Sequence, residues 1–495
     1  EKIYCGGGSF LFEIPNEKTD DLMRMIEQIY LEKTGSATIT VAIERESVTL
    51  KDPGPLTGWA SRIWQASDIK EDRGGGFALR ASLIGASLRE IKVQKKTAPF
   101  YEALPFAKRC DCCGKRMALS SKENQIRLRK PGEIAENLRV CRVCLTKDQN
   151  GRPGDHGTRG KFNEDFRDFI RKNDSQFAIN QAPDLESLTQ EMNRNHLAFI
   201  YADGNEMGSL LRNAKSKEEY TELSEGLSKG TKKALFEALF KVCGPALSIH
   251  GKKENYWPFE IITIGGDDTM VLIQACYAWE LAVEFLDNFE KCVKNLIKQD
   301  VTASCGIAIA DVKYPVRYLR SLAEGSLKRA KKKAKDDPQN PKSAIDFIWL
   351  PNPVLSERID ELIRYYNRND RSLTSRPYSL EEAKTINKLV EKAVNLPSSQ
   401  RHLWSEALEQ GMSTSRNAIF YNIARMKDDK RMEFKDFLKD VTNLIAPQNW
   451  KAPQSIWVER NDGEKKLHCT TLLDVLELTE LHSMRKGGEL TEEKA

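Results

Sequence analysis

Residues 259–272 place two apolar runs on either side of Gly265-Gly266-Asp267-Asp268. Such a stretch reads as a β-hairpin whose tip carries adjacent carboxylates. Glycine at the tip tolerates positive φ and lets a phosphate approach the backbone. Neighbouring aspartates are costly there unless water or a cation neutralises them, and a divalent cation is the usual neutraliser. Upstream, residues 196–203 read as an apolar strand ending in Asp203, followed by Gly204-Asn205-Glu206-Met207-Gly208. Paired beside the hairpin, that strand brings Asp203 to Asp267 and Asp268. Three carboxylates can hold two magnesium ions, which bridge a triphosphate, lower the pKa of an attacking hydroxyl and stabilise leaving pyrophosphate. The competing reading is a solvated Asp-Asp turn with nothing bound.

A chain of 495 residues suggests three or four domains. Its 77 basic and 72 acidic residues leave a net charge of +5, so the bulk balance selects no partner. The cluster Lys328-Arg329-Ala330-Lys331-Lys332-Lys333-Ala334-Lys335 is more informative. Its bland reading is a solvated basic face. Its chemical reading sends Lys331 to the triphosphate and the other lysines to nucleic acid. No apolar run reaches membrane-spanning length and no signal peptide opens the chain. Eleven cysteines then suggest a reducing, cytoplasmic setting, with metal rather than disulfides. Ile3 to Ile14 is already strand, glycine turn and strand. The first strand and helix of that domain are therefore expected upstream or on another chain.

A repeat underlies the order of elements. Helix Asp20–Lys33, strand Ala37–Glu44 and helices Gly58–Asp68 and Phe77–Val93 follow the opening hairpin. Later, hairpin Ile261–Leu272 leads to helix Trp279–Lys298, strand Val301–Ala310 and helix Val316–Lys335. Cys5-Gly6-Gly7-Gly8-Ser9 sits against Ile264-Gly265-Gly266-Asp267-Asp268. Residues 37–43 sit against 303–309, and 83–92 against 322–331. Three echoes in one order point to a duplication. The first copy has Gly8 and Ser9 where the second has Asp267 and Asp268, so it cannot hold metal by those residues.

Between the copies, Cys110-Asp111-Cys112-Cys113 and Cys141-Arg142-Val143-Cys144 supply paired thiols across 27 residues. Two short knuckles fit a closed tetrahedral zinc site of Cys110, Cys113, Cys141 and Cys144, with Cys112 spare. A redox role is the weaker alternative. Leu145–Gly160 reads as a loop or linker; Phe162–Arg171, Asp184–Met192 and Ser216–Val242 read as helices. After strand Ala344–Leu350, Pro351 and Pro353 mark a boundary. The remainder reads as helices Leu355–Asn367, Leu380–Asn395, Ser399–Glu409, Arg416–Met426, Glu433–Ile445 and Thr470–Leu481, with a hairpin from Ser455–Arg460 and Lys465–Cys469. That part shows no chemical constellation and reads as a docking module. The six histidines are scattered and read as structural.

Asp203-Gly204-Asn205-Glu206-Met207-Gly208 resembles the D-G-D-x-M-G signature of the large subunit of type III CRISPR effector complexes, the Cas-ten family of Csm and Cmr complexes. Gly265-Gly266-Asp267-Asp268 matches that family's GGDD. The order of degenerate glycine turn, four-cysteine module, second palm and late helical domain is similar to the family's over nearly the whole chain. The resemblance implies an α+β chain with two ferredoxin-like polymerase and cyclase palms. These would be a degenerate, incomplete first palm over 1–100, a zinc module and linker over 101–160, a GGDD palm over 161–350, and a helical docking domain over 351–495. It implies synthesis of cyclic oligoadenylates from ATP when target RNA is bound, with Mg2+ or Mn2+ on Asp203, Asp267 and Asp268. Gly265, Gly266 and Lys331 would meet the nucleotide, and Gly6, Gly7, Gly8 and Ser9 a second ATP. Guide RNA, target RNA and other effector subunits are the implied partners, with a separate chain as one source of the missing half-palm.

Two departures stand out. The family often carries an HD nuclease domain, and this sequence has no His-Asp dipeptide, so DNA cleavage by this chain is not expected. Asn205 stands where the signature has its second Asp. The rival functions are a catalytically silent scaffold and a GGDEF-like diguanylate cyclase. The latter motif wants Glu and Phe where this chain has Asp268 and Thr269.

Overall fold

The computed structural model describes residues 2–6, 9–14, 19–34, 39–42, 76–94, 106–119, 125–128, 136–151, 159–173, 182, 184–189, 194–247, 257–337, 341–352, 356, 358–368, 370–446, 455–462 and 465–485. The chain divides into two compact units, 1–165 with 206–225, and 166–205 with 226–495.

In the first unit, β1 (Lys2–Gly6) and β2 (Ser9–Phe12) form an antiparallel hairpin. Helices α1 (Thr19–Thr34) and α2 (Gly76–Gln94) follow. Residues 39–42 carry no strand, against the strand expected there; 37, 38, 43 and 44, like the expected helix at 58–68, lie outside the described residues. Strands β3 (Gln125–Leu128) and β4 (Glu136–Arg139) pair within the cysteine module, and α3 (Arg142–Gly151) starts beside Cys141. The linker expected at 145–160 is thus helical over 145–151, and α4 (Arg159–Asn173) takes its last two residues.

The second unit is built on a six-stranded sheet. After the one-turn helix α5 (Leu185–Leu188) comes β5 (His196–Gly204); of the helix expected over Asp184–Met192, residues 190–192 lie outside the described residues. Helix α6 (Met207–Arg212) belongs to the first unit, and α7 (Lys217–Leu247) begins there and continues into the second from Gly226. Hairpin strands β6 (Phe259–Gly265) and β7 (Asp268–Gln274) lead to α8 (Ala275–Ile297), β8 (Ala303–Asp311), α9 (Val316–Ala334) and β9 (Ala344–Trp349). Strands β8, β5, β7 and β6 lie side by side in that order, all antiparallel, and β9 adds in parallel beyond β8. This is the strand order of a ferredoxin-like βαββαβ palm. Strands β8 and β9 are buried almost throughout because helices cover both faces. Phe199, Leu272, Ala308 and Ile348 pack under Leu319, Leu322 and Ala323 of α9. Trp279 of α8 meets Phe347 on the other face at a centroid distance of 5.4 Å.

The C-terminal part adds α10 (Ile359–Ile363), β10 (Arg371–Ser372) and β11 (Tyr378–Ser379). Helices α11 (Leu380–Ala393), α12 (Ser398–Gln410), α13 (Met412–Ala424) and α14 (Asp428–Asn443) come next. Hairpin strands β12 (Val458–Asp462) and β13 (Lys465–Cys469) precede α15 (Leu472–His482). Of the helix expected over Leu355–Asn367, 359–363 are helical and the other described residues are not, while 355 and 357 lie outside the described residues. This region, expected to hold no polar constellation, contains one. Arg376, Asp474 and Tyr378 are almost completely buried, and Arg376 pairs with Asp474 at 2.7 Å and Glu477 at 2.6 Å. Among the described residues no helix is long and apolar enough to cross a membrane.

Candidate nucleotide and metal site

Gly265 pairs with Asp268, which leaves Gly266 and Asp267 as a two-residue loop. Gly266 has φ +72° while Asp267 keeps negative φ. That is the arrangement of a type II′ turn, whose first central position wants glycine. Ala202 pairs with Thr269 and Asp203 with Ser304, so Asp203 ends its strand alongside Asp268. Side chains alternate along a strand. Asp203 and Asp268 therefore share the face of Phe199, Tyr201, Met270 and Leu272, the face covered by α9. Lys331, near the end of α9, forms an ion pair with Asp203.

The turn after β5 is fixed by Asn205. Its amide donates to Thr302 Oγ1 at 3.0 Å, its oxygen accepts from Ser304 Oγ at 2.8 Å, and its backbone N–H donates to the Thr302 carbonyl at 2.8 Å. An amide can do both; a carboxylate only accepts. Sequence reading missed Thr302 and Ser304, which no motif marks. It also missed Tyr201, whose place two residues before Asp203 was a usable signal. Burial raises the Tyr201 phenol, and the charge of Asp268 raises it further.

Burial pushes Asp267 up to about 6; its own N–H and that of Gly204 oppose the rise, and the charge of Asp268 adds to it. Burial also raises Asp268. Burial lowers Lys331, and neighbouring Lys335 lowers it further. Two half-buried carboxyls made costly to ionise, with a third beside them, fit a divalent cation. The three do not yet converge tightly, because Asp203 is turned to Lys331. Among the described residues the one group of three or more metal-type ligand atoms within 4.8 Å of one another is Cys110, Cys113, Cys141 and Cys144.

The four cysteines fit zinc. Cys113 Sγ and Cys141 Sγ are 3.9 Å apart, close to the edge of about 3.8 Å of a tetrahedron with 2.3 Å Zn–S bonds. Gly114, at φ +63°, donates its N–H to the Cys110 carbonyl at 2.9 Å, and the Cys144 N–H points at Cys141 Sγ at 3.4 Å. Burial raises the Cys113 thiol, but the N–H groups of Lys115 and Arg116, with Cys110, outweigh it and bring it down to about 6. Cys112 is exposed and stands apart from the four.

Gly6 ends β1 opposite Ser9 at the start of β2, while Gly7 and Gly8 lie outside the described residues. The two hairpins correspond closely. Gly6 pairs with Ser9 as Gly265 pairs with Asp268. Register breaks between Lys2 and Tyr4 as it does between Ile261 and Thr263, the aligned positions.

A four-stranded antiparallel core with helices on both faces and acids at one strand end defines a palm domain. Residues 196–338 match the family model of the second palm domain of Cas10/Cmr2. No curated protein matches the chain. Among solved structures, a Csm1–Csm4 cassette in complex with pppApApA is 12% identical at TM-score 0.35, over 62% of this chain and 40% of that one. A Csm1 structure from T. onnurineus is 12% identical at TM-score 0.33, over 52% and 38%. A Csm1–Csm4 cassette in complex with cA4 is 15% identical at TM-score 0.29, over 62% and 40%. The chain thus spans about two fifths of the length of these solved chains.

Proposed function

We propose that the chain is the nucleotide-transferring large subunit of an RNA-guided type III effector complex, joining ATP into cyclic oligoadenylates when target RNA is bound. The observation that carries this reading is the placement of Asp203 and Asp268 on one face at one strand end, with Asp267 in the adjoining tip, inside a stretch matching the Cas10/Cmr2 second palm. Asp203, Asp267 and Asp268 would hold Mg2+ or Mn2+. Bound there, the ion supplies positive charge that acidifies a ribose 3′-hydroxyl and screens the α-phosphate it attacks. Gly265 and Gly266 present a tip without side chains to the phosphates. Lys331 reaches the same face and would leave Asp203 for the triphosphate, releasing that carboxylate to the ion. Gly6, Gly7, Gly8 and Ser9 are assigned to a second ATP on the strength of the resemblance. Cys110, Cys113, Cys141 and Cys144 hold zinc as a structural tie. Guide RNA, target RNA and other effector subunits are the proposed partners.

The test uses the chain in its assembled complex with matched target RNA, magnesium and ATP, with products read by mass spectrometry. Cyclic oligoadenylates from the parent and none from an Asp267→Ala, Asp268→Ala double variant are expected. Product from GTP alone would point to the diguanylate cyclase; no product from either protein would favour a silent scaffold.

A further inference from the structure

Helix α9 is seated on β8 at Gly306, where a Cβ would lie 2.2 Å from both the Ala323 carbonyl oxygen and the Leu327 nitrogen. Strand β8 lies between β5 and β9. From this seat Lys331 reaches Asp203 on β5. Arg329, two residues earlier and about 200° around the helix, reaches the other way. Its Nε donates to Asp346 Oδ2 of β9 at 2.8 Å, and its Nη2 donates to the Arg376 carbonyl at 3.1 Å.

Both of those partners are held firmly. Asp346 is wholly buried. Arg376 donates from Nη1 to the Phe347 carbonyl at 2.8 Å, from Nε and Nη2 to Asp474 at 3.0 and 2.7 Å, and from Nη2 to Glu477 at 2.6 Å. Its guanidinium lies 3.8 Å from the Phe347 ring centroid. The helix is thus tied on both flanks of a tight seat, by a rigid fork on one side and by the functional lysine on the other.

We propose that Arg329 is a positioning residue that sets the rotation of α9 and thereby places Lys331 against the nucleotide's phosphates; this rests on Lys331 meeting the triphosphate. A lysine ammonium is a point charge on a flexible stem, so its placement depends on its helix. Without Arg329, the pull towards β5 is unopposed. The Arg329–Asp346 pair need not be there for stability, since a buried ion pair is weak evidence of a stabilising role.

The experiment is calorimetric binding of magnesium-ATP, and separately of adenosine, to the full 495-residue chain. Arg329→Lys keeps the charge and loses the fork; it is expected to weaken ATP about tenfold and leave adenosine unchanged. Asp346→Asn, a second variant of unchanged size, is expected to show the same split. Lys331→Ala should weaken ATP by itself. The double variant Arg329→Lys, Lys331→Ala should bind no more weakly than Lys331→Ala alone, because the effect of Arg329 passes through Lys331. Equal losses for ATP and adenosine, or losses that multiply in the double variant, would show a merely structural Arg329 and overturn the proposal. A Lys331→Ala variant that binds ATP like the parent would instead overturn the assignment of Lys331 on which it rests.

Discussion

Asp267 gives a pH signature at the residue scale. Its folded pKa is raised from 3.8 to about 6. Its contribution to stability is therefore fully present below about 4 and is lost as pH climbs through about 6. At pH 8 the ionised side chain costs the fold up to about 3 kcal/mol. Asp267→Asn is expected to raise the thermal midpoint at pH 8 and to gain little at pH 4. Added magnesium should stabilise the parent at pH 8 and leave the variant unmoved, as read by thermal melts at both pH values. A variant melting below the parent at pH 8 without metal would contradict this. The carboxylates themselves were legible in the sequence, because a Gly-Gly-Asp-Asp tip and a strand-ending Asp are local patterns. Lys331 was also legible. The hold of Asn205 on Thr302 and Ser304 was not, since it joins residues about a hundred positions apart.

Among elements, α9 carries most of the consequence. Gly306→Ala would drive a methyl into helix backbone, which no rotamer change relieves. A loss of about 2–3 kcal/mol is expected, with ATP affinity falling alongside because Lys331 lies one turn beyond Leu327. Gly85→Ala in α2 is the control: its Cβ meets nothing within 4 Å, and it should stabilise α2 by about 0.5–1 kcal/mol. Urea melts and ATP titrations of both variants check this. Of the three echoes read as a repeat, the hairpins share even their irregularity. The strand expected at 37–44 leaned on its echo of 303–309, and residues 39–42 carry no strand. The linker expected at 145–160 is helical at 145–151 and 159–160, because polar composition also suits a partly exposed helix such as α3; 152–158 lie outside the described residues.

For the whole molecule, the cysteine module and the palm draw on different sources of order. Among its described residues the module has only Val140 and Val143 buried with Cys110 and Cys141, far too little apolar area to fold by itself. The palm has a sheet covered on both faces. A chelator is therefore expected to expose amides of 106–119 and 136–151 to hydrogen exchange while β5 and β8 stay protected. Zinc should restore protection, and metal analysis should find about one zinc per chain. Protection unchanged by chelation would remove zinc from the account. The buried Arg376 and Asp474 and the half-buried Glu477 could not be read beforehand: each looks like an ordinary surface residue in its own stretch, and only the fold brings residues 376 and 474 together.

At the tip between β6 and β7, letters can change but the count cannot. One residue more or fewer would undo the two-residue turn and shift the edge strand β6 by a single step against β7, turning its alternate side chains to the opposite face and moving Asp267 away from its place beside Asp268. The opening hairpin has the same spacing between Gly6 and Ser9 with the acids gone. A lineage can retire such a site by substitution and later revive it the same way, whereas an insertion would close that road in both directions.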